Sequence, residues 1–500
     1  MKKLFLSFIL AITATLPIIA TVQTFTGPMV VTSNRNTYCD NGTLIVKNGN
    51  NGLNTISLIV PSYNLQLDLA NVPCAVANGV TVYSVDRNAQ TTQGQLRTVL
   101  FARSVDGMMA ANVAIPDQNI TIWFNTVGDH FQLPNCDMEA WTASTGEPDR
   151  WHGFKSAGGT YATSSSALVK LEKSTDVHSG TDGTYSAVMT AGSIFGIVAN
   201  GTMTNGQLMA GSMSATSYDN HAEMDKDNTN TDANGDRFYM PLYAKPDKFN
   251  VWLKYTQGTS NANYKASVSV KTFDGTYYQE PDNKVYTNLS GSIVGGQIPA
   301  GGWTFYSFPF DYDSYAANNA ATEAIFVTFS TNGNPGQGSK NDKLFVDDME
   351  LVYLAEMTDL RYQGVTIEGW NPAVTAYSME INGVPNLDDF TADVTGASAV
   401  LTKSMEQNAD GSYRIAISVV SGDLLTATCY VITATVASSV MRGDVDGNGT
   451  VNISDVTALI DYLLSGNGSN IDLVAADVDN NSSVNISDVT SLIDMLLSGN

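Results

Sequence analysis

Two stretches near the end of the chain, GDVDGNGTVNISDVTALIDYLLSG and ADVDNNSSVNISDVTSLIDMLLSG, repeat one pattern of oxygen-bearing side chains. In the first, Asp444, Asp446, Asn448, Thr450, Asn452 and Asp455 occupy positions 1, 3, 5, 7, 9 and 12 of a loop; Asp477, Asp479, Asn481, Ser483, Asn485 and Asp488 do so in the second. Calcium is a hard cation that gathers about six to eight oxygens at flexible distances. Side-chain oxygens at positions 1, 3 and 5, a carbonyl at 7 and a carboxylate at 12 enclose one such ion per copy. Gly449 stands at position 6, where the backbone must bend sharply; Ser482 stands there in the second copy, which predicts a strained turn or lower affinity. A helix follows each loop, with Ser454 or Ser487 placed to cap it. Val456, Leu459, Ile460 and Leu463 recur at helical spacing, as do Val489, Leu492, Ile493 and Leu496, so the two helices are expected to bury these faces against each other.

The EF-hand-like loops, with Asp rather than Glu at position 12 and one helix close behind each, closely resemble a type I dockerin over residues 441–500. The resemblance implies two bound calcium ions and docking to a cohesin-like protein. Dockerins use positions 10 and 11 in partner choice, often as a small polar pair. Here those positions hold Ile453 and Ser454, then Ile486 and Ser487. The isoleucines depart from that habit, so intramolecular docking onto the preceding sandwich stands as an alternative.

At the other end, Lys2 and Lys3 precede an apolar run from Leu4 to Ala20, after which the chain turns polar. A basic start, a short apolar core and a small residue describe a secretory signal peptide over residues 1–20. The expectation is an exported protein, extracellular or at the cell surface, with the periplasm also open, and with no transmembrane segment after signal cleavage. Cys39 and Cys74 are candidates to pair after export, whereas Cys136 and Cys429 read as buried inert thiols. The net charge of −24 excludes a nucleic-acid partner, which needs clustered Lys and Arg.

Between these ends, 500 residues rich in Gly, Thr, Ser, Asn, Val and Tyr predict a mainly β, multidomain protein. From 24 to 129, GTLIVKNG, TISLIV, LQLDLA, GVTVYSV and NITIWFNT alternate apolar and polar residues between turns, which reads as strands. That pattern is similar to the calycin-like β-barrel domains that open exported proteins. From 130 to 354, FQLPNCDMEAW, KPDKFNVWLKY, GGWTFYSFPFDY and KLFVDDMELVY follow in order. This order resembles the carbohydrate-metabolism domain, a jelly-roll β-sandwich family. Residues 355–439 predict a small immunoglobulin-like sandwich, with strands near Tyr413–Val420 and Thr426–Val436 joined by Ser-Gly-Asp. The terminal dockerin-like module is all-α.

Sugar recognition uses flat aromatic faces and polar groups, which nominates Trp141, Trp151, Trp252, Trp303 and Tyr255. Glycoside hydrolysis needs two carboxylates across a cleft. Glu139, Asp236, Asp311, Asp313, Asp347 and Asp348 are the acids available, with Asp311 and Asp313 expected to share one strand face. No catalytic residue is assigned. Jelly-roll sugar binders place a structural calcium between their first and last strands, and that resemblance makes Glu139 and Asp348 candidate ligands for a third ion. The Asp225–Asp236 loop reads as a flexible polar loop, and GNPGQGSK as a strand connector. No HExxH or GxSxG pattern occurs. The favoured function is an exported glycan-binding protein of polysaccharide utilisation with a calcium-dependent docking module. A glycoside hydrolase of polysaccharide catabolism and a non-catalytic structural or adhesive surface protein are the alternatives.

Overall fold

A computed structural model describes residues 22–498 apart from 34–35, 50–52, 78–79, 106, 128–129, 143–145, 195, 438–440 and 470. The expected signal peptide lies outside the described residues. The chain divides into two compact units. One comprises Met1–Tyr377, Asn386–Glu406 and Arg414–Ile432; the other comprises Ser378–Pro385, Gln407–Tyr413 and Thr433–Asn500.

Period-two hydrophobicity closes the first sheet on itself. Strands β1 (Val22–Ser33), β2 (Asn36–Asn48), β3 (Leu53–Val60), β4 (Leu65–Ala77), β5 (Val80–Thr91), β6 (Gly94–Val105), β7 (Met108–Ile115) and β8 (Ile120–Asn125) pair each with the next. β8 returns to β1, with Met29 opposite Phe124, so the barrel has no free edge. Leu44, Leu58, Leu67, Leu100, Val113 and Phe124 are buried in one cluster that fills the interior, as side chains do in an eight-stranded barrel. Outward-facing Val80, Val82, Val105 and Ala110 instead join the core of the next domain. The expected Cys39–Cys74 disulfide does not form, and none of the four cysteines is in a disulfide. The reason is strand order and register: β3 lies between β2 and β4, and Cys39 lies beyond the Thr43–Ile59 end of the first pairing while Cys74 lies beyond the Leu53–Pro73 end of the second, at opposite ends of β3.

The central domain is built on a ten-stranded sheet that folds over its own core. Its order runs Thr202–Thr204, Ala324–Ser330, Ala266–Phe273, Leu289–Ile293, Gly301–Asp311, Lys248–Thr256, Lys343–Val352, Ser186–Thr190 and Lys170–Ser174, with Gln297–Ile298 pairing off this path. The Phe249 and Phe329 rings, on strands far apart in that order, meet 6.4 Å apart. The two halves therefore face each other as a sandwich. Along Lys248–Thr256 the residues alternate, with Phe249, Val251, Leu253 and Tyr255 buried and Asn250, Trp252 and Lys254 turned outward.

Arg103 on β6 joins segments of the larger unit that lie far apart in sequence. Its guanidinium donates to the carbonyls of Tyr243 in the central domain and Gly422 in the following sandwich. Burial pulls its pKa down to about 10. The small sandwich has a three-stranded sheet, ordered Val365–Thr366, Glu356–Tyr362, Phe390–Thr395, and a four-stranded one, ordered Ala376–Ile381, Ala427–Val436, Tyr413–Val420, Val400–Gln407. Ile415, Ile417 and Val419 on alternate positions are wholly buried. Ser421 and Asp423 close the expected turn through a 2.6 Å hydrogen bond.

Besides a short α1 (Ala162–Leu168) in the central domain, α-helix is confined to the C-terminal repeat among the described residues: α2 (Ile453–Ser465), α3 (Leu473–Ala476) and α4 (Ile486–Ser498). Val445, Val456, Leu459, Val478, Val489 and Leu492 form its core, three residues from each copy.

Candidate functional site

In each terminal loop, backbone donors aim the carboxylates inward. Asp444 accepts the N–H groups of Asn448 at 3.0 Å and Gly449 at 2.8 Å; Asp477 accepts those of Asn481 and Ser482 at the same distances. Asp455 accepts from Asp446 at 3.1 Å and Asn452 at 2.8 Å, and Asp488 accepts from Asp479 and Asn485 likewise. One oxygen each from Asp444, Asp446 and Asp455 thereby lies within 4.8 Å of the others, and Asp477, Asp479 and Asp488 converge in the same way. Asp455 and Asp488 are wholly buried. Three carboxylates so close repel one another strongly unless a cation sits among them. An all-oxygen donor set held this way fits calcium.

Tight turns shape both cages. Gly447 and Gly449 adopt φ of 70° and 82°; their counterparts Asn480 and Ser482 adopt 61° and 65°. Asn tolerates this region, but Ser482 carries a Cβ penalty there, as its sequence position implied. Two expectations need correction. Ser454 and Ser487 do not cap the helices: the Asn452 and Asn485 side chains accept the Ser454 and Ser487 N–H groups, each at 2.8 Å. The position-9 side chains thus also serve as the helix caps. Thr450 and Ser483 occupy position 7, where the backbone carbonyl is the available ligand; the Thr450 carbonyl also accepts the Asn452 amide at 3.3 Å. Ile460 and Ile493 are not buried either, being 37% and 38% exposed, since they sit at the shoulder of a stripe centred on Leu459 and Leu492.

Residues 442–497 match the dockerin type I domain. None of the curated proteins matches the chain. Among solved structures, the chain aligns with the CBM22-1 xylan-binding domain of Paenibacillus barcinonensis Xyn10C at 11% identity and a TM-score of 0.21, covering 43% of this chain and 88% of that one. The tandem CBM22-1–CBM22-2 domains of the same protein align at 9% identity and a TM-score of 0.19, covering 66% and 92%. The M60 catalytic domain with CBM51-1 and CBM51-2 from Clostridium perfringens ZmpB aligns at 8% identity and 0.18, covering 84% of this chain and 40% of that one. Superpositions this loose carry nothing about ligand or activity.

The dockerin presents one apolar surface twice. Ile453 and Ile486 are each 70% exposed, and Leu464 and Leu497 are 82% and 81% exposed. With Ile460 and Ile493 they line the outward sides of α2 and α4. Large apolar side chains at matched positions of both copies mark a surface meant to be covered.

In the central domain, the five nominated aromatics scatter. Trp151 and Tyr255 are buried in the core, so neither has a face free for a sugar. Trp141 donates to the Met138 carbonyl and lies under Lys173, 5.6 Å from its ring centre. Trp252 and Trp303, by contrast, are brought together on the outer face of the sheet. Trp252 stacks on His178 at 4.1 Å and meets Phe305, which is 49% exposed, at 5.6 Å. Trp303 donates to Asp176 at 3.0 Å and packs edge-on to Phe345.

The six acids do not assemble into one site. Asp311 ends a strand while Asp313 opens a 3-10 helix, so the expected shared face is lost; Asp311 accepts the Ser314 N–H at 3.0 Å. Glu139 accepts the Thr184 and Tyr185 N–H groups, each at 2.7 Å, and Asp348 pairs with His178 at 2.7 Å. Both carboxylates thus have hydrogen-bond partners within the protein. Among the described residues, groups of three close acidic ligands occur only in the dockerin loops. Burial, reinforced by Asp348, pushes the neighbouring Asp347 carboxyl up to about 7. Asp236 pairs with Arg150 at 3.5 Å. The loop around it is tied down rather than loose: Asp232 accepts the N–H groups of Asn234 and Asp236, and Arg237 donates to the carbonyls of Lys226 and Asn228.

No helix of the described residues is long and apolar enough to cross a membrane.

Proposed function

We propose that this is an exported glycan-binding protein that is anchored through its dockerin, loaded with two calcium ions, onto a cohesin-like partner. The observation that carries the reading is the pairing of two matched carboxylate cages with two matched exposed apolar surfaces on the helices those cages hold. Each cage fixes the start of a helix, and each helix presents Ile, Ile and Leu outward. Removing the ions releases the helix ends and with them the docking surface.

The glycan-binding part of the reading rests on the aromatic face of Trp252, Phe305 and Trp303. Such rings pack against the C–H faces of a pyranose, while Asp176 and Lys254 at its margin offer polar contacts. The test is retention of the calcium-loaded full chain on an immobilised cohesin and on insoluble polysaccharides. Cohesin retention lost on chelation, and polysaccharide retention lost in Trp252→Ala/Phe305→Ala, are expected. Retention indifferent to both changes overturns the reading.

A further inference from the structure

The central domain also holds a cleft of about 730 Å³ that none of the nominated aromatics or acids lines. Its size is that of a small-molecule site, for which ~300–1,000 Å³ is usual. Its floor is made by three neighbouring strands whose outward positions carry hydroxyls in register. Thr202 lies opposite Ser330, and Ser330 opposite Ser267 on the next strand. One rung further, Thr328 lies opposite Ser269. The alternate positions on these strands, Val268, Val270, Val327 and Phe329, are buried in the core, so the sheet turns a hydroxyl face to the cleft and an apolar face inward.

The walls differ from the floor. Met209, Met213 and Ile197 line one part, Tyr278 and Pro281 another, with Ile197 and Met213 still 43% and 47% exposed. One cation and two carboxylates lie among the lining residues. Lys271 projects from the floor strand, and Glu280 and Asp282 line the wall near it. Glu280 accepts from Ser269 at 2.6 Å, and the Tyr278 hydroxyl reaches both Glu280 at 3.2 Å and Asp282 at 2.8 Å. Burial raises the Glu280 carboxyl above the usual carboxylate range, with Lys271 working against it. Ser269 donates to Glu280, Ser330 to the Asn332 carbonyl at 2.9 Å and Thr328 to Thr204 at 3.4 Å, so these hydroxyls turn lone pairs to a ligand and suit groups that donate, as sugar hydroxyls do. Apolar walls pair with ring C–H faces. An anion would meet Glu280 and Asp282, and a cation would meet Lys271.

We propose that this cleft is a second binding site, for a short neutral oligosaccharide, held by the floor hydroxyls of Ser267, Ser269, Thr328 and Ser330 and by the flanking apolar walls. It shares no residue with the Trp252–Phe305 face, which suits the surface of a long chain. The domain thus has one site for polymer and another for a soluble fragment. The proposal shares with the reading above only the premise that this domain meets sugars.

The experiment is titration calorimetry of the full calcium-loaded chain with defined gluco-, xylo-, manno- and galacto-oligosaccharides, and with oligogalacturonates and chitosan oligomers as the anionic and cationic arms. Saturable binding of at least one neutral series is expected. Ser267→Val/Ser330→Val, which keeps strand-forming residues on the floor, should weaken it by about tenfold, the weight of one or two hydrogen bonds. Met213→Arg, at the partly exposed mouth, should weaken it without touching the core. Trp252→Ala/Phe305→Ala should leave it unchanged while abolishing polysaccharide retention. Binding of no neutral series, binding confined to the charged arms, or neutral binding lost with the aromatic variant and kept in both cleft variants overturns the proposal. Loss of polysaccharide retention alone tells only on the aromatic face.

Discussion

The Asp455 carboxylate accepts the backbone N–H of Asn452 at 2.8 Å, and the Asn452 side chain in turn accepts the N–H of Ser454 at 2.8 Å. One residue therefore closes the metal cage and the other starts the helix, and neither arrangement is complete without its neighbour. Asp488 and Asn485 repeat the relationship. Ion binding is therefore expected to be coupled to helix formation in each copy. Asp455→Ala is expected to reduce calcium stoichiometry from two ions to one and to lower helical circular dichroism, both measured on the full chain. Two ions retained by the variant would show that position 12 is dispensable.

The two loops differ most at position 6, where Gly449 and Ser482 both adopt positive φ. A side chain in the left-handed region costs about 1–2 kcal/mol. A Cβ at Gly449 would meet nothing within 4 Å, so the cost there is one of backbone alone. Ser482→Gly should tighten the weaker calcium site by about tenfold, and Gly449→Ala should weaken the other by a similar factor. Calorimetric titration with calcium reads both.

The apolar helix surfaces are expected to matter for docking and not for folding. Ile453→Asp/Ile486→Asp should leave calcium affinity and thermal stability within about 0.5 kcal/mol of the original, as for exposed positions generally. It should abolish cohesin capture in the same pull-down that the unmodified chain passes.

In the central domain, His152 is wholly buried, 4.5 Å from the Phe238 ring and 3.7 Å from Asp232. Burial drives its pKa from 6.5 down to about 4, against the pull of Asp232. The unfolded chain therefore takes up a proton in a range where the folded chain does not. Stability from the neutral ring is complete above the unfolded value near 6.5 and is lost as pH falls toward 4, by up to about 3 kcal/mol. His152→Gln should be less stable than the original at pH near 7, with the difference shrinking on acidification. Urea unfolding across that range measures it.

Much of this architecture was legible from local pattern. The Asp repeat, the barrel strands and the Ser-Gly-Asp turn all depend on residues close in sequence. Some errors were avoidable on the same grounds. Trp252 and Tyr255 lie three apart on one strand, so period two places them on opposite faces, and only Trp252 turns outward. Asn452 with Asp455 also fits the reciprocal cap better than Ser454 does. The cleft was beyond reach for a different reason. Ser267, Ser269, Thr328 and Ser330 are ordinary strand hydroxyls, and only the long-range pairing of Ala266–Phe273 with Ala324–Ser330 brings them together. Likewise, the connector GNPGQGSK contributes Gly333 and Pro335 to that cleft, which its Gly/Pro composition does not announce.

The most direct test of the central claim is scanning calorimetry of the full chain with calcium and after chelation. The account predicts that chelation removes or sharply lowers one small transition, that of the dockerin, and leaves the larger β-domain transition in place. A trace with the same transitions at the same temperatures in both conditions would contradict it.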